Sequence, residues 1–400
     1  MTPRLALPLL LAVFVAGCAE LPPQPPAVQA LSNPAGPGGG RPNLFADADG
    51  EVYLTWTEPS GDSLDALRFA TWEGEAWSAP RTIAEGADWF VNWADFPALA
   101  ASERLTAHYL ARSGSSPYAY DVRVTQSADG GATWQEAITP HRDGTTTEHG
   151  FVSLVPWTQG RTALVWLDGR EMADGPHGDH AGAMTLRFAA LDTDGRLTNE
   201  ALLDTRTCDC CQTAAARTSG GLVVAYRDRS EGEIRDIAVT RLEDSTWTSP
   251  EILHRDGWQI SGCPVNGPAL DAQGERVAAA WFTAADNVPR VQVAFSEDEG
   301  GSFGEPVVVD EGAPLGRVDI VLLSGGSALV SWLEQAGEQA AIRLRTVDPD
   351  GTLGPIMTVA ETSSARASGF PRMIRSGDEV FFAWTEAGEP SRLRTARAVF

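Results

Sequence analysis

Short apolar segments that end in an aromatic residue, usually followed by an acid, recur along the whole chain. They read V-Y-L-T-W-T-E at Trp56, T-A-L-V-W-L-D at Trp166 and L-V-V-A-Y-R-D at Tyr226. The pattern returns as V-A-A-A-W-F-T at Trp281, A-L-V-S-W-L-E at Trp332 and V-F-F-A-W-T-E at Trp384, with a weaker copy, L-T-A-H-Y-L-A, at Tyr109. Successive aromatics stand 51 to 60 residues apart. A preceding strand precedes each copy by about ten residues, as in P-N-L-F-A, F-P-A-L-A, G-P-A-L-D and F-P-R-M-I. A following strand such as L-R-F-A-T or V-Q-V-A-F leads through a tight turn to a fourth, such as E-P-V-V-V. No segment sustains a helical period, so the chain is expected to be all β.

Four short strands per repeat make one antiparallel blade, and blades set radially make a β-propeller, which leaves no long open sheet edge. The repeats predict seven blades over residues 41–400; a six-bladed ring is the alternative if the Tyr109 copy is not a true member. The last repeat reaches Phe400 after its third strand, and the apolar P-A-V-Q-A-L at 26–31 can supply the missing outer strand.

The turns between third and fourth strands carry a second signature. S-A-D-G-G-A-T-W (Ser127, Asp129, Gly131, Trp134) and S-E-D-E-G-G-S-F (Ser296, Asp298, Gly300, Phe303) follow the pattern S-x-D-x-G-x-T-W. Asp192–Gly195 and Asp348–Gly351 lie in degenerate copies. The carboxylate caps backbone amides, glycine takes positive φ, and the aromatic packs between strands. These turns resemble the Asp boxes of the sialidase-like (BNR-repeat) propellers, and the resemblance covers nearly all of residues 41–400.

The amino terminus points to a compartment. Arg4 is followed by an apolar run, Leu5 to Val15, too short to span a bilayer and suited to a signal peptide over residues 1–17. It ends in V-A-G-C, which resembles the lipobox of bacterial lipoproteins, where Cys18 would be lipidated; an ordinary signal peptide with an incidental Cys18 is the alternative. Ala19 resembles the sorting residue of lipoproteins sent to the outer membrane, and a lipid anchors without spanning. Residues 18–40, rich in Pro and Gly, have tether composition. The expected location is the outer membrane, facing the periplasm.

Charge narrows the chemistry. The chain of 400 residues has 54 Asp+Glu against 30 Lys+Arg, a formal net charge of −24, and every cation is arginine. The absence of lysine excludes a P-loop or kinase lysine and Schiff-base catalysis. The acidity excludes a nucleic-acid partner, which needs a basic face.

Topology locates the candidate site. Loops from second to third strand and links between blades emerge on one face; the Asp boxes emerge on the other. The first class carries T-C-D-C-C-Q-T (Cys208, Cys210, Cys211), S-G-C-P-V-N-G-P (Cys263, Asn266) and T-E-H-G (Glu148, His149). It also carries L-D-G-R-E-M-A-D-G-P-H-G-D-H (Asp168, Arg170, His177, His180) and Y-R-D-R-S-E-G-E-I-R-D (Tyr226, Arg227, Asp228, Arg229, Arg235). In an oxidising compartment the four cysteines read as disulfides. The alternative is a soft-metal site, thiolates joined by His149, His177 or His180, taking copper or zinc. The arginines and acids read either as an ion-pair network or as a clamp on an anion.

T-C-D-C-C-Q-T, Y-R-D-R-S and G-C-P-V-N-G-P together resemble bacterial lipoproteins of the sialidase-like, BNR-repeat group. True sialidases hold the substrate carboxylate with three arginines and use a Tyr–Glu nucleophile with an Asp acid/base. Arg41 is a poor echo of the family's R-I-P motif. Arg229, Arg317 and Arg372 are candidates for the clamp, though no motif fixes them. Tyr226 with Asp228 is the candidate nucleophile region, although Tyr226 also fills the repeat's aromatic core position, which leaves the nucleophile unassigned. The cysteine motif is foreign to that pattern. The expected function is therefore binding of a small anionic or glycan ligand, a metal or an envelope protein, with an exo-sialidase-type glycoside hydrolase as the alternative.

Overall fold

The structure, a computed structural model, describes residues 26–172 and 182–400. Seven antiparallel sheets succeed one another along the chain, and their first strands touch in a closed circuit from blade one to blade seven and back. The expected seven-bladed propeller is thus the fold. The Tyr109 segment is a true member: Leu99–Ala101, Leu105–Arg112 and Tyr120–Ser127 form blade two. That blade has no regular fourth strand; a single bridge from Ile138 to Val124 stands in its place.

The ring closes as the apolar pattern at 26–31 suggested. Gln29–Leu31 lies antiparallel on Arg392–Val399, setting Gln29 against Arg397 and Leu31 against Thr395. Blade seven is therefore built from both ends of the described chain.

The repeated aromatics are core. Trp56, Trp281 and Trp332 are fully buried, Trp166 and Tyr226 nearly so. Burying an indole contributes roughly 4–6 kcal/mol before entropy is counted. Its N–H still needs an acceptor; Trp281 donates to Asp256 at 2.7 Å, and in three other blades the acid two residues along supplies it. Trp56 donates to Glu58 at 2.8 Å, Trp166 to Asp168 at 2.8 Å and Trp332 to Glu334 at 3.2 Å. Directly opposite each indole, on the third strand, stand Arg68, Arg187 and Arg343. Arg68 and Arg343 reach the acid at 3.1 and 3.0 Å, completing an indole–carboxylate–guanidinium triad. Blade three breaks the pattern: Arg187 Nε stays 3.8 Å from Asp168 and, though buried, has no hydrogen-bond partner.

The two Asp boxes superimpose in their bonding. Asp129 accepts from Thr133 N at 2.9 Å and Thr133 Oγ1 at 2.7 Å, and Asp298 from Ser302 N at 2.8 Å and Ser302 Oγ at 2.7 Å. Gly131 has φ +86°, and a Cβ there would come within 2.4 Å of Phe69. The boxes are structural turns on the face away from the cysteines.

Candidate functional site: a cleft with thiols on one side and a tyrosine–carboxyl cluster on the other

A cleft of about 900 Å³ opens beside the links that join blades one to five. Its lining includes Trp93, Tyr120, Glu148, Cys210, Cys263 and Arg366. The narrower channel at the propeller axis, about 150 Å³, is distinct and is flanked by Asp95, Asp319, Phe370 and Arg372.

The C-D-C-C turn is tied to blade four by a hydrogen bond from Cys208 N to Arg227 O at 2.9 Å and by a bridge between Thr207 and Asp228. This draws the sulfurs together: Cys208 Sγ lies 3.1 Å from Cys211 Sγ and 3.8 Å from Cys210 Sγ. Cys210 and Cys263, from the next link, share a second group with Asp209, and Cys263 Sγ is 3.9 Å from Asp209 Oδ1. All four cysteines are free; Cys208 and Cys211 are buried, Cys263 exposed. Arg235 Nη1 donates to Cys208 Sγ at 3.2 Å and lies 3.5 Å from Asp209. Hydrogen bonds from the Cys210 and Cys211 thiols, aided by the Arg235 charge, hold the Cys208 thiol well below its usual range despite burial. Cys210 is pushed up as the donor to its neighbours, and Cys211 chiefly by burial. The cluster thus favours one thiolate, Cys208, embraced by thiol donors.

The opposite wall holds Glu148, which the sequence places in the mouth, together with two residues that the sequence did not single out, Tyr120 and Asp95. Tyr120, heading the third strand of blade two, donates its hydroxyl to Glu148 Oε1 at 2.7 Å, with Asp95 Oδ2 at 3.2 Å. Its ring stacks on Phe90 at 3.9 Å. Burial pushes Glu148 up to about 8, opposed by the Tyr120 hydrogen bond and reinforced by the charges of Asp95 and Asp209. Burial likewise pushes Asp95 up to about 7, although Phe151 N donates to it and the Tyr120 hydroxyl lies 3.2 Å away. Glu148 is therefore a neutral acid near pH 7, facing the cleft.

Other expected residues lie elsewhere. Tyr226 is buried and donates to Asp204, within the packing of blades three and four, so it does not face the cleft. Arg227 is buried and donates to the carbonyls of Asn266, Arg235 and Phe282 at 2.8, 2.5 and 2.7 Å. Asn266 staples blade five to blade six by accepting from Arg317 N at 2.7 Å. The three clamp arginines are not brought to a common point: Arg229 pairs with Glu233 at 2.9 Å, Arg317 donates to Ser368 and Gly369 at 2.7 and 2.9 Å, and Arg372 lies 3.4 Å from Asp319 in the axial channel. Arg41 is tied to Thr57 inside blade one. Asp228 is pushed up to about 6 by burial. His149 does not join the cysteines; it is buried against His141, and Asp168 is gripped by Arg170 through two bonds of 2.7 Å. Cys18, His177 and His180 lie outside the described residues. Arg366, in the cleft, makes no ion pair among the described residues and is a cation the repeat pattern did not single out.

With this geometry in view, the fold is a seven-bladed β-propeller that many solved structures share. It is similar to an ulvan lyase of a polysaccharide lyase family at 12% identity, covering 92% of this chain and 95% of that one, with a TM-score of 0.59. It is also similar to an α-L-arabinanase of Penicillium chrysogenum at 12% identity, covering 94% and 99%, with a TM-score of 0.51. The NanB sialidase of Streptococcus pneumoniae aligns at 11% identity over 93% and 92%, with a TM-score of 0.47. At these identities the likeness concerns the fold. No family model and no curated protein sequence matches the chain.

Proposed function

We propose that the protein is an envelope-anchored metal-binding propeller that holds a soft ion, Cu(I) or Zn(II), on Cys208, Cys210, Cys211 and Cys263. The observation that carries this reading is the convergence of Cys208, Cys210 and Cys211, with sulfur separations of 3.1 and 3.8 Å. A disulfide needs about 2.05 Å, whereas tetrahedral thiolates on zinc stand about 3.7 Å apart, since each Zn–S bond is about 2.3 Å. Arg235 stabilises the first thiolate, and the cleft gives an ion access through Cys210 and Cys263. The lipobox ending at Cys18 supports anchoring at the outer membrane. A thiol count under denaturing conditions, with metal analysis of the purified chain, tests the proposal. Four reactive thiols (Cys18 being lipidated) with one equivalent of copper or zinc support it; two disulfides and no metal defeat it.

A second reading rests on Tyr120, Glu148 and Asp95. A neutral carboxylic acid beside a tyrosine hydroxyl, with Arg366 on the same cleft, suits acid–base cleavage of an anionic glycan. Glu148 would protonate the leaving oxygen as water from the cleft adds to the anomeric carbon, while Arg366 receives the substrate carboxylate. The fold's likeness to a polysaccharide lyase and an arabinanase agrees with this class of substrate. Turnover of sialosides and uronate polysaccharides, lost in Glu148→Gln, would establish it. No turnover of either class would remove it.

A further inference from the structure

A second group of ligating atoms lies inside the wall between blades two and three, away from the cysteines. His149 is fully buried, and its Nδ1 lies 3.2 Å from the carbonyl of Thr147. With the ring proton on Nδ1 in that contact, Nε2 presents a lone pair. Nε2 then faces two carboxylate oxygens, Asp143 Oδ2 at 3.4 Å and Asp168 Oδ1 at 3.6 Å. Neither Nε2 nor Asp143 Oδ2 has a hydrogen-bond partner, and both are buried. Asp143 Oδ2 also lies 3.4 Å from His141 Nδ1 and 3.4 Å from Arg170 Nη2, both too far for a good hydrogen bond, so the three ligating atoms surround a point where a cation would satisfy them better.

The spacing indicates which cation. Ligand atoms about 2.0–2.1 Å from a tetrahedral zinc stand about 3.3–3.4 Å apart, close to the separations found here. His141 stacks on His149 with ring centroids 3.6 Å apart, and its Nε2 accepts from Val122 N at 3.3 Å, so it supports the ring and is not itself a ligand. Asp168 has also turned from the triad that its counterparts Glu58 and Glu334 complete with Arg68 and Arg343; Arg187 Nε stays 3.8 Å away and makes no hydrogen bond. Arg170 now supplies positive charge, bonding both oxygens of Asp168 and lying 3.4 Å from Asp143 Oδ2.

We propose that His149, Asp143 and Asp168 form a second metal site, for a divalent ion of borderline character such as Zn(II), with Arg170 as the competing cation that the ion displaces. Imidazole with two carboxylates is a harder donor set than the thiolates and selects Zn(II) over Cu(I). The ion would pin His149 and thereby set the strand start from which Glu148 enters the cleft.

The test is zinc and cobalt titration of the full chain with Cys18, Cys208, Cys210, Cys211 and Cys263 all changed to serine, its fold checked by circular dichroism. The expected result is one equivalent of Zn(II), and with Co(II) visible d–d bands without thiolate charge-transfer absorption. His149→Gln should weaken binding at least tenfold, while Arg170→Met should tighten it, an effect no purely structural role for Arg170 would produce. A folded cysteine-free chain that binds neither metal overturns the proposal, as does unchanged affinity in both variants. If the cysteine-free chain does not fold, the zinc stoichiometry of the wild-type chain decides: a loss of one equivalent in His149→Gln supports the site, and no loss overturns it.

Discussion

Glu148 and His149 are consecutive residues with opposite surroundings. Glu148 takes the Tyr120 hydroxyl at 2.7 Å on the wall of the cleft, while His149 is wholly enclosed between His141 and Asp143. Alternation along an extended strand start sends successive side chains to opposite faces. One short segment therefore serves both the cleft and the interior of the blade wall.

The first consequence concerns pH. Glu148 and Asp95 are raised to about 8 and about 7 in the folded chain, against about 4 when unfolded. Both carboxyls thus bind protons more tightly when folded, so the stability they contribute is fully present below about pH 4 and is lost as pH rises through about 8. The melting temperature should fall from about pH 6.5 to 8, above the range in which the buried His108 and His141 act in the opposite direction. Glu148→Gln should flatten the fall, and an unchanged slope would contradict the assigned environment.

The thiols should differ in reactivity. Cys263 is the exposed member, and its thiol is lowered chiefly by a hydrogen bond from Cys210, with the Arg235 charge helping. Maleimide should therefore label Cys263 first at pH 7, and Cys263→Ser should remove the fast phase. Arg235→Met, which also withdraws the cation from Cys208, should slow labelling several-fold. Equal rates in wild type and Arg235→Met would show that the guanidinium does not govern these thiols.

Gly150 is required by its neighbours. A Cβ at this position would lie 2.0 Å from Asp95 Oδ2 and 2.9 Å from Tyr120 Cε2. Gly150→Ala must displace Asp95 from Phe151 N, which it now holds at 2.9 Å. A destabilisation of about 2–4 kcal/mol is expected from overpacking and a lost buried cap, readable as a lowered urea midpoint. An unaltered midpoint would rule out this packing.

The repeat triad can be tested at Trp332, fully buried and bonded to Glu334. Trp332→Ala should cost about 3–5 kcal/mol. Trp332→Phe should cost less, since it keeps the ring but abandons the carboxylate. The order of the two urea midpoints checks the argument.

The propeller was legible because each blade repeats its own instructions: an aromatic ending the second strand, an acid two places on, a turn with Asp and Gly. Even ring closure by residues 29–31 could be read, since an apolar patch stood where one strand was missing. The cysteines converged because the face of each loop follows from strand counting. Tyr120 was invisible for the opposite reason. Its acids come from 25 and 28 residues away, so no local motif couples them. Tyr226 looked better because its acid neighbours are adjacent in sequence, yet a core position turns it inward. The arginine clamp failed similarly: residue type and loop class say nothing of which carbonyl or carboxylate already holds each guanidinium.

The closure of blade seven also determines how a pull on the chain would be felt. Its outer strand is only three residues long, and it pairs with the strand at Arg392–Val399. A load applied upstream of residue 29 would reach the propeller through this pairing before any other. The short strand is then a mechanical fuse: it would peel first, opening the ring at one seam while the other six blades keep all their strands. The same pairing orders assembly. The strand made earliest has to wait for the one made nearly 370 residues later, so the ring is completed only when synthesis of the described chain is over.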